Sequence, residues 1–226
     1  GEIWGYETYG LFQSEQEIAG AANQDKVSGG IKLMPGDIRF VDRNNDGVID
    51  WGDNTVDNPG DKKIIGNSTP RYHYGINLGA DWKGFDLGIF FQGVGKRDLY
   101  LPGTSFRSHY GSEWQVPSAY NNDYWTEENT GAYFPRARFN GGSAINQAQT
   151  RYMVDASYCR LKSVSIGYTL PKVLTQKASI EKIRIYFTGE NLFTISDTPD
   201  GLDPELDNPY TYPMQRSLSV GLSLTF

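Results

Sequence analysis

Arg216-Ser217-Leu218-Ser219-Val220-Gly221-Leu222-Ser223-Leu224-Thr225-Phe226 closes the chain with an apolar residue at every second position from Leu218 onward, and only Ser, Gly and Thr between them. Period two is the signature of a β-strand, whose successive side chains point to opposite faces. One face of this strand is wholly apolar; the other is small and polar. A soluble sandwich strand rarely carries such a stripe at the end of a sequence, where chain ends fray and nothing follows to cover it. A transmembrane β-barrel requires the pattern, because the outward face meets lipid and the inward face a polar lumen. The reading therefore starts from an all-β, antiparallel transmembrane barrel.

Composition agrees. The chain has 226 residues, 26 of them Gly and 15 Tyr, with 14% aromatics, a mix suited to pleated surfaces, tight turns and interfacial belts. Mean hydropathy is −0.53, which does not argue against a membrane, since barrel strands place polar residues at half their positions. A formal net charge of −6 and a pI of about 5.0, without a Lys/Arg cluster, argue against a nucleic-acid partner. The single cysteine, Cys159, has no partner for an internal disulfide or a cysteine metal site and reads as a small apolar strand residue. Gly1-Glu2-Ile3-Trp4 reads as mid-sequence material with no export signal, so an exported protein starting here is expected to be a fragment.

Further segments repeat the strand pattern. Tyr72, Tyr74, Ile76, Leu78 and Ala80 alternate with His73, Gly75, Asn77 and Gly79; Phe85, Leu87, Ile89 and Phe91 follow after the short turn 81–84. Residues 160–170 present Val164, Ile166, Tyr168 and Leu170, and residues 182–193 present Ile183, Ile185 and Phe187. Residues 4–12 form a weaker strand, followed by Ser14 as an expected N-cap with Glu17 closing a capping box. Each strong strand has about 10 residues, enough to cross hydrocarbon at a tilt. Connections alternate between short (81–84, 171–181) and long (13–71, 95–157, 194–215), as periplasmic turns and extracellular loops do. With Phe226 on the periplasmic side, every short turn falls inside and every long loop outside. Small inward residues suit a wide lumen, so residues 1–226 read as the C-terminal part of a larger barrel with open edges at residues 4–12 and at the last strand.

The sharpest chemical motif is Asp42-Arg43-Asn44-Asn45-Asp46-Gly47-Val48-Ile49-Asp50-Trp51-Gly52-Asp53, within the expected external loop 36–71. It fits a twelve-position calcium loop: Asp42, Asn44 and Asp46 as oxygen ligands, Gly47 for the bend, the Val48 carbonyl, then Asp50 and Asp53. The flanks are extended or turn-forming, so this is an EF-hand-like loop without its helices, expected to hold a structural Ca2+. A solvated Asx-rich turn is the bland reading. The 95–157 loop is rich in aromatics, of which Trp114, Tyr120, Tyr124, Trp125 and Tyr133 are candidate ligand or lid contacts that could stack on sugar faces. A core for the loop itself, or a surface for a partner protein, is the alternative. No catalytic residues are assigned. His73 and His109 lack partner motifs, and Asp203, Glu205 and Asp207 read as a loop turn. A secreted, calcium-stabilised carbohydrate-binding β-sandwich would share most of these features; a glycan-degrading enzyme would need two converging carboxylates, and none is expected.

In order along the chain, several stretches resemble the SusC/RagA-type TonB-dependent outer-membrane transporters of Bacteroidetes: Gly5-Tyr6-Glu7-Thr8-Tyr9-Gly10-Leu11-Phe12-Gln13-Ser14, Gly36-Asp37-Ile38-Arg39-Phe40 before the Asp-rich loop, and Ile65-Gly66-Asn67-Ser68-Thr69-Pro70. So do Lys83-Gly84-Phe85-Asp86-Leu87 with Phe91-Gln92-Gly93, Tyr158-Cys159-Arg160-Leu161-Lys162 with Gly167-Tyr168-Thr169-Leu170-Pro171, Gly189-Glu190-Asn191-Leu192-Phe193, Asp203-Pro204-Glu205 and the aromatic terminus. Asn45 stands where Gly is common in the calcium loop, and Cys159 where Leu is usual. The resemblance implies the last ~6 strands of a roughly 22-stranded barrel, importing a bulky nutrient such as a glycan or peptide across the outer membrane. It further implies a SusD-like surface lipoprotein as lid, and coupling to TonB through an N-terminal plug and TonB box that lie outside this sequence.

Overall fold

The computed structural model describes residues 1–100, 123–138, 142–176, 179–199, 202–206 and 211–226. Two units emerge, Gly1–Ser68 with Leu99–Val154 and Thr69–Asp98 with Asp155–Phe226. In the first, β1 (Glu2–Tyr6), β2 (Thr8–Leu11), β3 (Ile38–Phe40) and β4 (Lys62–Asn67) form two antiparallel pairs, β1 with β4 and β2 with β3. Residues 4–12, expected at the open edge of the barrel, thus break at Glu7 and take partners in their own unit. Burial explains this. Leu11 and Phe12 are consecutive and both buried, which period two does not allow on a one-sided strand, and both strand pairs carry register shifts. Tyr6, Phe12, Val27, Ile38, Phe40, Ile49 and Tyr152 form a core of this unit, with the Tyr6 and Phe40 rings 5.3 Å apart.

The helix α1 (Glu15–Ala19) begins as its sequence predicts, with the Ser14 hydroxyl accepting from the Glu17 backbone N–H at 3.2 Å. The Glu17 carboxylate reaches one residue further than a capping box would, accepting from the Gln13 N–H at 2.8 Å. A second short helix, α2, covers Asp25–Ser28.

The second unit is built on long strands. Its sheet is made of β5 (Arg71–Trp82), β6 (Phe85–Lys96), β9 (Tyr158–Thr169), β10 (Lys182–Glu190), β11 (Thr194–Ser196) and β12 (Ser217–Thr225), while β7 (Asp98–Tyr100) and β8 (Met153–Asp155) form a separate short pair. One antiparallel sheet has the order β12-β10-β9-β6-β5, with β11 pairing β9 beyond the end of β10. Trp82 pairs directly with Phe85, so the β5–β6 turn is a two-residue loop in which Lys83 and Gly84 both take positive φ, 47° and 90°. That combination marks a type I′ turn, whose twist matches the strands it joins.

Register aligns the sequence pattern across the whole sheet. One row crosses Ala80, Leu87, Ile166, Phe187 and Val220, and the next crosses Trp82, Phe85, Tyr168, Ile185 and Leu222. The opposite face carries Gly79, Gly88, Ser165, Thr188 and Ser219 in one row and Asp81, Asp86, Gly167, Tyr186 and Gly221 in another. The apolar face is open: Ile76, Leu78, Phe85, Ile166, Ile185, Val220 and Leu222 are all exposed, Val220 at 77%. On the polar face Arg184 donates two hydrogen bonds to Asp86, at 2.9 and 2.5 Å. Among the described residues no helix is long and apolar enough to cross a membrane, which says nothing about strands.

Strict alternation fails once, in β9. Phe90 pairs with Ser163 but Phe91 with Leu161, so Lys162 is the extra residue of a β-bulge. Counting back by twos from Ile166 would put Lys162 and Arg160 on the apolar face. The bulge resets the parity, so that Leu161 joins the apolar face beside Phe91 while Arg160 pairs with Gln92 on the polar one. Arg160 is then buried in polar company: it donates to Thr194 at 2.8 Å, to Glu205 at 2.7 Å and to Asp203 at 2.5 Å, while Lys162 reaches Glu205 at 2.9 Å. Burial alone would push the Asp203 carboxyl up. The Arg160 guanidinium and the backbone N–H groups of Met214 and Glu205 outweigh it and hold that carboxyl below the usual range. Asp203 and Glu205 are therefore anchors of their turn.

Gly221 lies opposite Tyr186, and a Cβ there would sit 2.2 Å from the tyrosine ring, whereas a Cβ on Gly88 would meet nothing within 4 Å. Gly221→Ala is expected to destabilise the sheet by about 1–2 kcal/mol and Gly88→Ala to be neutral or stabilising. Chemical unfolding of the two variants side by side checks this.

Candidate functional site

The oxygen-rich loop begins where β3 ends and closes where β4 begins. Its first half folds on its own side chains. Asp42 accepts from the Asn45 N–H at 2.7 Å and the Gly47 N–H at 2.9 Å, the Asn44 amide oxygen accepts from Asp46 at 3.0 Å, and Asp46 accepts from Val48 at 2.8 Å. These are Asx turns, in which a short side chain mimics a backbone carbonyl. Asn45 sits at φ 59°, a left-handed conformation that Asn tolerates better than most residues, which explains how it stands in a position suited to Gly. The turn hangs on Asn23, whose N–H donates to the Gly47 carbonyl at 2.9 Å and whose carbonyl accepts from Ile49 at 2.7 Å. Ile49 is fully buried below it.

The second half is organised differently. Asp50 accepts from Gly52 N–H at 2.8 Å and pairs with the Lys26 ammonium at 2.6 Å. The Lys26 hydrogen bond, helped by the Gly52 N–H, holds the Asp50 carboxyl below its usual range, and the same contact raises the Lys26 ammonium. Asp53 accepts from the Asn58 side chain at 2.9 Å. The structure therefore brings Asp42, Asn44 and Asp46 into one turn and gives Asp50 and Asp53 partners of their own. Among the described residues no three acidic, His or Cys side chains surround a common point.

One residue that sequence spacing did not single out organises both halves. Asp61 is fully buried, and its two carboxylate oxygens accept from the Arg43 N–H at 2.7 Å and the Asp50 N–H at 2.8 Å. It clamps the start of the loop to its middle. Its signature in the sequence is only an Asp ahead of a strand, which is common. Tyr6 lies near it: the phenol is buried without a hydrogen-bond partner among the described residues, and burial, then the charges of Asp61 and Asp50, push its pKa up.

The aromatic candidates separate. Trp114 and Tyr120 lie outside the described residues. Trp125 is 3% exposed; its indole N–H donates to Gln13 at 3.1 Å and Arg136 stacks over its ring at 4.9 Å, so most of its surface serves the packing of the first unit, while the residue borders an open cleft with Tyr124, Glu127 and Glu128. Tyr124 and Tyr133 are each 37% exposed. The Tyr133 ring also packs edge-on against Phe134 and Tyr152, at 4.9 and 5.6 Å, and its hydroxyl donates to the Arg151 carbonyl at 3.0 Å. Asp123 holds the segment together by accepting from Asn129 at 2.9 Å and the Tyr133 N–H at 3.0 Å, which lowers its pKa.

Comparison with known proteins places this architecture. The RagAB peptide transporter matches with a TM-score of 0.69 at 22% identity, over 100% of this chain and 23% of that one. The RagAB peptide importer in its closed-closed state gives 0.68 at 22% identity, with the same coverage. TonB-dependent receptor P3 of Formosa agariphila is 31% identical over 244 residues, which is 100% of this chain and 22% of the relative. TonB-dependent receptor SusC of Bacteroides thetaiotaomicron is 29% identical over 194 residues, 83% of this chain and 17% of that protein. No protein-family model matches. The chain thus spans about a fifth of the length of the curated relatives it matches. The class so defined is the all-β TonB-dependent transporters. Within it the chain is a SusC/RagA-like member.

Asp61→Asn exchanges one acceptor for an amide donor facing a backbone N–H, leaving a buried donor unpaired. It is expected to cost about 2–3 kcal/mol and to open residues 42–61 to limited proteolysis, read as the rate at which that segment is cut relative to the unaltered chain.

Proposed function

We propose that this chain supplies wall and external loops to a transporter that imports a bulky nutrient, a glycan or a peptide, across a bacterial outer membrane with energy relayed by TonB. The observation that carries the reading is the open apolar face, continuous through register across five strands and opposed by a face of Gly, Ser, Thr and charged residues. An apolar patch of this breadth needs a cover. Lipid covers such a face in a barrel wall, and the polar face then borders the lumen. Trp82, Phe85, Tyr168 and Phe226 fall toward the end of the sheet that holds the β5–β6 turn, where a periplasmic aromatic girdle belongs. Exposed Leu218, Val220, Leu222 and Leu224 lie on the last strand.

Residues 36–71 and 95–157, on this reading, are extracellular loops that meet cargo and a SusD-like lipoprotein lid. The donor set of the Asp-rich loop is all hard oxygen and suits Ca2+. Asp42, Asn44, Asp46 and the Val48 carbonyl would hold the ion, with Asp50 and Asp53 completing the twelve-position pattern. The ion would stiffen the loop. The function needs no bond-making chemistry, and no catalytic residue is assigned.

Fractionation tests this. The native protein is expected in the detergent-soluble outer membrane, in one polypeptide longer than this chain and together with a surface lipoprotein, and residues 42–61 are expected to become protease-sensitive on chelation of calcium. Recovery as a soluble 25.3 kDa monomer contradicts the transporter; chelation without effect on the loop contradicts the calcium site.

A further inference from the structure

Resting on the transporter reading, we propose that a cleft in the first unit, beside Tyr9 and Arg39, is a subsite for a carboxylate-bearing sugar ring in the cargo. The cleft holds about 350 Å³ and is lined by β2, the Arg39 position of β3, Glu17 of α1, the turn at residues 130–132 and Arg151. That volume lies at the small end of ligand pockets, the scale of one or two sugar rings.

Three features select the ligand. The first is an open aromatic surface: the Tyr9 ring is 70% exposed, and a pyranose presents C–H bonds that stack on such a face. The second is a guanidinium placed beside two aromatic rings. Arg39 lies 5.1 Å from the Tyr9 ring centroid and 5.8 Å from that of Phe12, and makes no hydrogen bond or ion pair among the described residues. A guanidinium held by ring contacts and not by hydrogen bonds keeps its N–H groups for a ligand, and their fork matches a carboxylate in two parallel bonds. The third is charge. Arg151 is fixed by donating to the carbonyls of Tyr133 at 2.6 Å and Ala132 at 2.5 Å, so two cations line the cleft against one carboxylate, Glu17.

A uronate answers all three together. Its ring covers Tyr9, its carboxylate meets the Arg39 guanidinium, and its hydroxyls find the Glu17 carboxylate, whose Oε2 accepts among the described residues from only the Gln13 N–H at 2.8 Å. A neutral sugar leaves the Arg39 fork unmatched. An acidic peptide meets the fork, but its Asp or Glu carboxylate is not carried on a ring that would cover Tyr9. The floor between them is clear, because a Cβ on Gly10 would meet nothing within 4 Å.

Calorimetry on the complete transporter in detergent tests the assignment, with an oligoglucuronate, a neutral glucose oligomer of equal length and an acidic peptide as probes. The oligoglucuronate is expected to bind tighter than the other two. Arg39→Gln should weaken it about ten-fold or more and leave the glucose oligomer unchanged, and Arg39→Lys, which keeps charge but loses the fork, should fall between. An Arg39→Gln affinity equal to the parent's, a preference for the neutral oligomer, or Arg39-dependent capture of the peptide alone overturns the subsite. Energised uptake separates the two readings. Normal uptake of another cargo with no oligoglucuronate binding sinks the subsite alone, whereas Arg39-dependent binding by a protein recovered only in the soluble fraction supports the subsite and sinks the transporter.

Discussion

Everything in the second unit depends on one constraint: each long strand must present apolar residues to one side of the sheet and small or polar ones to the other, in register with its neighbours. Alternation within a strand is local, but a slip of one residue in any pairing would turn that strand over. The short turns fix the register. Lys83 and Gly84 set Trp82 against Phe85, and the apolar rows then run unbroken from β5 to β12. On the proposed reading lipid replaces the second layer that a soluble sheet would need. The small residues of the other face keep the inner wall low: Gly79, Gly88, Ser165 and Ser219 occupy a single row.

The same constraint explains the one irregularity. Arg160 and Lys162 carry the parity of the apolar face, and the bulge at Lys162 moves Arg160 away from it. Its guanidinium then meets two carboxylates, Asp203 and Glu205, brought by the loop that leads to the last strand. A buried cation left unpaired would be costly, so the bulge that buries Arg160 depends on the loop carboxylates that pair it. In the first unit buried Asp61 plays the equivalent part, using a carboxylate to join backbone segments that share no ladder.

The strands of the sheet were legible because their pattern is local and strong. Residues 72–80, 85–92, 160–170 and 216–226 announce themselves by period two, and β5, β6, β9 and β12 fall on them. The pairing of residues 4–12 was not legible. Those strands are short, and consecutive Leu11 and Phe12 are buried by packing in their own unit, where no period applies. The bulge was hidden as well, since a single extra residue leaves no mark apart from a charged pair at the wrong parity. Among the candidate sites, the Asp-rich loop was readable from spacing, and its Asx turns follow from Asp and Asn chemistry. Asp61 and Lys26 were not, because their contacts lie 11 and 24 residues away from Asp50 and are made only in the fold. From sequence Trp125 is equally a candidate contact or part of a core for its own loop, and its burial depends on contacts that composition cannot reveal, with Arg136 and Gln13.

The most direct test of the account asks what covers the apolar face. Nitroxide labels placed singly at Val220 and at Ser219 of the membrane-embedded protein report contact with oxygen, which concentrates in lipid, and with a water-soluble nickel chelate. Neighbouring residues on opposite faces should give opposite answers, oxygen dominating at Val220 and nickel at Ser219. Equal exposure of both labels to nickel, or the reverse assignment, would contradict the lipid-facing wall.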